Sequence, residues 1–160
     1  MQVYPKLVVF DLDFTLWDCG GKWIDCTDWP FRQEQDRVFD QSGNEFLLYA
    51  EVRELLDELQ DADCRLALAS RTTRPEWADW LLKAWDLDSW FAHQEIYPSS
   101  KIRHFEKLQA DTNISFEEMI FFDDEERNII EVAALGVTAV HVRNGLDRAT
   151  FEEGLERHGS

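Results

Sequence analysis

The chain has 160 residues, 44% of them apolar, with seven tryptophans and a formal net charge of −17. That length and composition predict one packed domain over residues 1–160, burying roughly 70% of the unfolded surface, and exclude a disordered chain. The acidic field disfavours nonspecific nucleic acid or anionic membrane as a partner, so any phosphate site must be locally positive against it.

The start, M-Q-V-Y-P-K, reads as neither a charged leader nor the edge of a long apolar stretch, and no run approaches a membrane span. The expectation is a cytoplasmic monomer. Leu7 to Phe10 is a short apolar run that suits a strand buried on both faces of a parallel sheet. Asp11 and Asp13 follow at its carboxyl end, the end where ligands bind in open α/β sheets. Spaced one apart, they point the same way while Leu12 points back into the core. Two carboxylates in one place need a cation or a shared proton, and hard oxygen donors suit Mg²⁺.

Asp18 to Leu48 lacks helical periodicity and carries Gly20, Gly21, Pro30 and Gly43. Within it, Arg37 to Leu48 reads as a hairpin about a Ser-Gly-Asn turn, so residues 18–48 are expected to form a small β-hairpin flap beside the site. Cys19, Cys26 and Cys64 match no close metal pair and the four histidines are scattered, which points to reduced thiols and no zinc.

Val52, Leu55, Leu56 and Leu59 share one helical face. Arg65 to Ala69 is a second buried strand, ending at Ser70-Arg71-Thr72-Thr73. Thr73 and Glu76 fit a capping box with Pro75 in the first turn, opening a helix whose Trp77, Trp80, Leu81, Ala84 and Trp85 form a packing stripe. Trp90 to Tyr97 is a weaker strand closed by Pro98. Lys101 then stands near the start of a helix carrying Ile102, Phe105 and Leu108, where a cation opposes the helix dipole. Met119 to Phe122 is an apolar run ending in Asp123-Asp124. The next helix is expected to turn Ile129, Ile130, Val132 and Ala133 inward and to stop at Gly136. Val137 to Val142 and Asp147 to Leu155 complete the pattern with a last strand and helix. Alternating strands and helices predict a three-layer, Rossmann-like α/β fold with a parallel sheet.

Three of the buried strands end in candidate site residues. Asp11 and Asp13, Ser70, and Asp123 with Asp124 would converge on one edge, with Lys101 adding positive charge. Asp11 can attack phosphorus and form an acylphosphate, Asp13 can supply and recover the proton, and Mg²⁺ held by Asp11 and the second acid pair can screen anion from anion. Ser70, nearby backbone N–H groups and Lys101 can hold the phosphoryl oxygens.

In these residues the chain resembles the haloacid dehalogenase superfamily: D-L-D-F-T-L its first motif, Ser70 its second, Lys101 its third and Asp123-Asp124 its fourth. Longer stretches, P-K-L-V-V-F-D-L-D-F-T-L-W, A-S-R-T, E-I-Y-P-S-S-K-I-R-H-F-E and F-F-D-D-E-E-R-N-I, are similar to its magnesium-dependent phosphatase 1 family. The resemblance implies Mg²⁺-dependent phosphomonoester hydrolysis. It maps the nucleophile to Asp11, the acid/base to Asp13, whose backbone carbonyl also meets the metal, and the phosphate ligands to Ser70 and Lys101. Asp124 is the favoured fourth-motif ligand, its spacing to Asn128 resembling the family's acid-x-x-x-acid pattern, with Asp123 behind it.

Arg71, Arg74 and Arg103 could add anion attraction, Arg71 being placed among the substrate-binding residues, and Trp17 and Trp23 could confer selectivity. Ser70 to Lys101 leaves no room for a cap domain, so the site is expected to be open to phosphotyrosine on proteins or to protein-linked sugar phosphates. The alternatives are a catalytically inactive binding module and a receiver domain, whose acid pair would precede its phosphoacceptor.

Overall fold

The computed structural model describes residues 2–160. Chain order runs β1 Leu7–Phe10, β2 Trp17–Asp18, β3 Arg32–Glu34, β4 Arg37–Phe39, β5 Glu45–Leu48, α1 Val52–Asp61, β6 Arg65–Ser70, α2 Pro75–Ala84, β7 His93–Ile96, α3 Lys101–Thr112, β8 Met119–Asp123, α4 Glu126–Ala133, β9 Thr138–His141 and α5 Arg148–His158. Five of these strands form one parallel sheet in the order β7-β6-β1-β8-β9. The apolar run Leu7–Phe10 has no exposed residue because β1 lies at the centre, covered on both faces.

Alternation along each strand divides the core in two. Val8, Phe10, Leu66, Leu68, Ile120 and Phe122 face α1, α2 and α5 through Leu55, Leu56, Leu81 and Phe151. Leu7, Val9, Ala67, Ala69, Met119 and Phe121 face α3 and α4 through Phe105, Leu108 and Val132. These are the three layers expected, and no helix of the described residues is long and apolar enough to cross a membrane.

The flap is more than a hairpin. β4 and β5 pair as expected, Val38 opposite Phe46, but β3 and β2 extend them into a four-stranded antiparallel sheet in the order β2-β5-β4-β3. It rests on α2 through aromatic packing: Trp29 stacks on Trp77 at 5.6 Å between centroids, and Phe31 meets both Trp77 and Trp80 edge-on. The tryptophan stripe thus glues flap to helix, each such pair adding about 1 kcal/mol beyond simple burial.

Three local expectations fail. The capping box at Thr73 and Glu76 does not form. Arg74 occupies the cap position of α2 without a side-chain bond, and Thr73 instead donates its hydroxyl to Asp25, far away in the flap. Helix α4 is also rotated from its expected face: Val132 is buried and Ile129 half-buried, but Ile130 is 64% exposed and Ala133 is exposed. The inward place belongs to Asn128, whose amide Nδ2 donates to Asp123 Oδ2 at 3.0 Å. A buried carboxylate that needs a partner outweighs one isoleucine on this helix. The helix ends before the expected stop, at Ala133 with Ala134 as its cap; Gly136 lies in the turn that follows, its φ of +109° in the left-handed region that glycine tolerates.

Candidate active site

The carboxyl ends of β1, β6 and β8 open onto one cleft of about 220 Å³, lined by Asp11, Asp13, Ser70, Arg71, Lys101 and Asp124. Asp123 sits directly behind it with no exposed surface. Asp11, Asp13, Ser70, Arg71, Lys101, Asp123 and Asp124 are therefore in one locality, although the segments are far apart in the chain.

Lys101 is the centre of this arrangement. Fully buried at the start of α3, its ammonium lies 3.0 Å from Asp11 Oδ1 and 3.3 Å from Asp123 Oδ2, and it also donates to the backbone carbonyl of Ala69. Burial works against its charge, but the two carboxylates win and hold its pKa above the ordinary lysine value. The dipole cost at a helix start, about 0.5 kcal/mol, is small beside such pairing.

Asp11, Asp123 and Asp124 each offer a carboxylate oxygen, all within 4.8 Å of one another. Both acids, the buried Asp123 ending β8 and the half-buried Asp124 after it, are pushed upward, by burial first and then by the charge of Asp11. Three carboxylates against one ammonium leave a negative, all-oxygen cradle, and that donor set fits a hard divalent cation such as Mg²⁺. The two acids of the pair differ in freedom. Asp123 accepts from Glu125 N at 2.8 Å, from Asn128 Nδ2 and from Lys101, whereas Asp124 faces the cleft.

Asp13 is held from the flap side. Trp17 Nε1 donates to its Oδ1 at 2.7 Å and the Ile24 backbone N–H to its Oδ2 at 2.9 Å. Burial nevertheless pushes its carboxyl up to about 7, the two hydrogen bonds opposing the rise. Trp17, expected as a selectivity residue, is completely buried and has its indole turned to Asp13. Trp23 does line the cleft and is 54% exposed.

On the opposite wall Ser70 is nearly buried, its Oγ accepting from Thr72 N at 3.3 Å. Arg71 Nη1 donates to the neutral Asn128 Oδ1 at 3.2 Å, so its charge stays available to the cleft. Arg127 lines the cleft too, paired with Glu125 at 3.3 Å. Arg74 lies over the Trp77 ring at 4.9 Å, and neither it nor Arg103 lines the cleft. Asp25, Thr72 and Arg127 line the cleft as well, and the sequence pattern assigns none of them to the site: Asp25 stands in a stretch without periodicity, and no spacing marks Arg127.

The raised acids carry a consequence for stability. A carboxyl whose folded pKa lies above its unfolded value, 3.8 for aspartate, binds more protons folded than unfolded, so stability falls as pH rises through that interval. Asp13 spans about pH 4 to 7, and Asp123 and Asp124 act in the same sense. Lys101 stays charged throughout and contributes no slope there. In EDTA the melting temperature is expected to be lower at pH 8 than at pH 5, and added Mg²⁺ should raise it chiefly at pH 8. Calorimetry showing the reverse order would contradict these raised values.

The sequence model of the Acid Phosphatase family matches residues 3–159. The chain is 51% identical to human magnesium-dependent phosphatase 1 over 158 residues, covering 98% of this chain and 88% of that protein. It is 36% identical to a HAD-like hydrolase superfamily protein of Schizosaccharomyces pombe, over 92% of each. Among solved structures, the fold resembles an N-terminal part of a Bacteroides fragilis protein containing a phosphatase domain complexed with Mg, with a TM-score of 0.63, 18% identity, and coverage of 96% of this chain and 39% of that one. It also resembles the L-2-haloacid dehalogenase of Xanthobacter autotrophicus, with a TM-score of 0.63, 12% identity, and coverage of 91% and 80%.

Proposed function

Since the chain belongs to the Acid Phosphatase family and, within the haloacid dehalogenase superfamily, to the family of magnesium-dependent phosphatase 1, we propose that it is a cytoplasmic, monomeric Mg²⁺-dependent phosphatase working through a phosphoaspartate. The observation that carries this reading is one cleft holding Asp11 against the Lys101 ammonium at 3.0 Å and an Asp13 carboxyl raised to about 7.

Asp11 is the nucleophile. One of its oxygens forms the bond to phosphorus as the ester oxygen leaves with the bonding pair, giving an acylphosphate. Asp13 gives its proton to that leaving oxygen, then takes one from the water that attacks the acylphosphate and restores Asp11. A carboxyl near pH 7 suits both roles at neutral pH. Lys101, Ser70 and Arg71 bind the phosphoryl oxygens and hold the group in line, with Lys101 also neutralising charge that grows in the transition state. Asp11 and Asp124, together with the Asp13 carbonyl, would hold Mg²⁺, and Asp123 would orient the set through Lys101 and Asn128. The bound cation supplies charge neutralisation between a carboxylate nucleophile and a phosphate dianion.

With no cap domain over the cleft among the described residues, the substrate class is a phosphomonoester carried on something large: phosphotyrosine on a protein or a protein-linked sugar phosphate such as a fructosamine phosphate. The test is hydrolysis of p-nitrophenyl phosphate. Turnover is expected with Mg²⁺, is lost in excess EDTA and returns when Mg²⁺ is restored. Folded protein with no turnover in any of these would leave the inactive binding module as the better reading. Phosphotyrosyl peptides and glycated, phosphorylated peptides compared at equal concentration then divide the two substrate classes.

A further inference from the structure

One turn of the flap joins two halves of the cleft. Ile24, Asp25 and Cys26 form a single 3-10 turn, and Ile24 is only 1% exposed, so the turn is anchored in the core by an apolar side chain. Its backbone N–H holds Asp13 Oδ2 at 2.9 Å. The next residue reaches the other way. Asp25 Oδ2 accepts from the Thr73 backbone N–H at 2.9 Å and from the Thr73 hydroxyl at 2.7 Å, while its Oδ1 accepts from the Thr72 hydroxyl. Thr72 in turn gives its backbone N–H to Ser70 Oγ.

A carboxylate lining a cleft that receives phosphate works against the ligand unless its charge is spent elsewhere. Here three donors from the loop between β6 and α2 take it up. Burial would raise its pKa, but the hydrogen bonds from Thr72 and Thr73 outweigh burial and lower it, so the group is an acceptor-only anion at neutral pH. Thr73 gives up its expected capping role at α2 for this contact.

We propose that Asp25 is a positioning residue, a latch that seats the flap turn on the β6–α2 loop and so fixes the Asp13 carboxyl and the Ser70 hydroxyl relative to each other across the cleft. The kinetic part of this inference rests on the phosphatase reading; the structural part does not. Asp25→Asn keeps the size of the side chain but sets an amide NH₂ against hydroxyl and N–H donors. Thr72→Val deletes one of those donors from the opposite side.

The experiment is hydrogen exchange on both variants and on their combination, with p-nitrophenyl phosphate kinetics in Mg²⁺ run on the same samples. Expected in Asp25→Asn is exchange about tenfold faster in two separate segments at once, residues 23–27 and 71–74, with the rest of the sheet unchanged. The value of kcat should fall about thirtyfold, since small misplacements of reacting groups cost on that scale, while inhibition by inorganic phosphate changes less than about threefold because Lys101 and Arg71 still hold the anion. The double variant should be no worse than Asp25→Asn alone. Loosening of one segment without the other, kcat within about twofold of wild type, or losses that simply multiply would each overturn the latch. Should Asp25→Asn fail to fold, Thr72→Val with Thr73→Ala removes the same hydroxyl donors and carries the same expectations. Wild-type protein without turnover would sink the phosphatase reading alone, leaving the exchange result to decide the latch.

Discussion

Asp11→Asn is expected to lower phosphatase turnover by at least about 10⁴-fold, because an amide retains the shape of the side chain but has no electron pair fit to attack phosphorus. The loss should appear in kcat, and p-nitrophenyl phosphate hydrolysis by enzyme purified free of wild type is the measurement. The fold should survive. Asp11 adds negative charge to a place that already holds Asp123 and Asp124 and raises both of them, so neutralising it relieves repulsion even as it weakens one ion pair with Lys101. In EDTA at pH 8 the variant should therefore melt no lower than the wild type. Appreciable residual hydrolysis would remove Asp11 from the nucleophile's role.

Lys101→Met is expected to damage both function and fold. Catalysis should fall by about 10³-fold, the scale seen when a preorganised donor to a developing charge is deleted. Stability should fall by about 3 kcal/mol at pH 8, because removing one partner of a buried ion pair strands the others. The pH dependence distinguishes this cause from a packing defect. Without the ammonium the Asp123 carboxyl rises further above its unfolded value, and a raised carboxyl destabilises progressively as pH climbs through its titration. The deficit against wild type should thus shrink at pH 5, where the stranded acids take up protons. Urea unfolding at the two pH values reads it directly, and an equal deficit at both would mean that lost packing, not lost charge, dominates.

The parallel sheet was legible because its strands are uninterrupted apolar runs, a pattern that burial on both faces demands, and because turns and helices fall between them at regular intervals. The acids were legible for a related reason: charged residues at the end of a buried run have only the sheet edge to occupy. Elsewhere local patterns misled. Thr73 and Glu76 have the spacing of a capping box, yet an aspartate nearly fifty residues away competes for the threonine and wins. Helix α4 looks amphipathic through Ile130, yet it turns on Asn128 because Asp123 needs that amide. Trp17 resembles its exposed neighbours in composition, but its indole serves Asp13. Only the Thr73 bond spans a long stretch of sequence, and the other two join residues four and five apart; what all three share is that a side-chain hydrogen bond leaves no periodic trace.

The placement of β1 at the centre of the sheet has a further consequence for how the chain acquires its structure. Leu7 pairs with Arg65 on one side and with Met119 on the other, so a strand synthesised before either neighbour waits longest for its second one. Contacts spanning such distances are slow to form. On a ribosome, a nascent chain that has not yet emerged past Met119 carries L-V-V-F with one edge unpaired, an adhesive ribbon that chaperones or neighbouring chains can engage. Pairing of the second edge of β1 and assembly of the acid cluster then occur in the same event, because β8 brings both the missing partner and Asp123, with β9 added afterwards on the outer edge of β8.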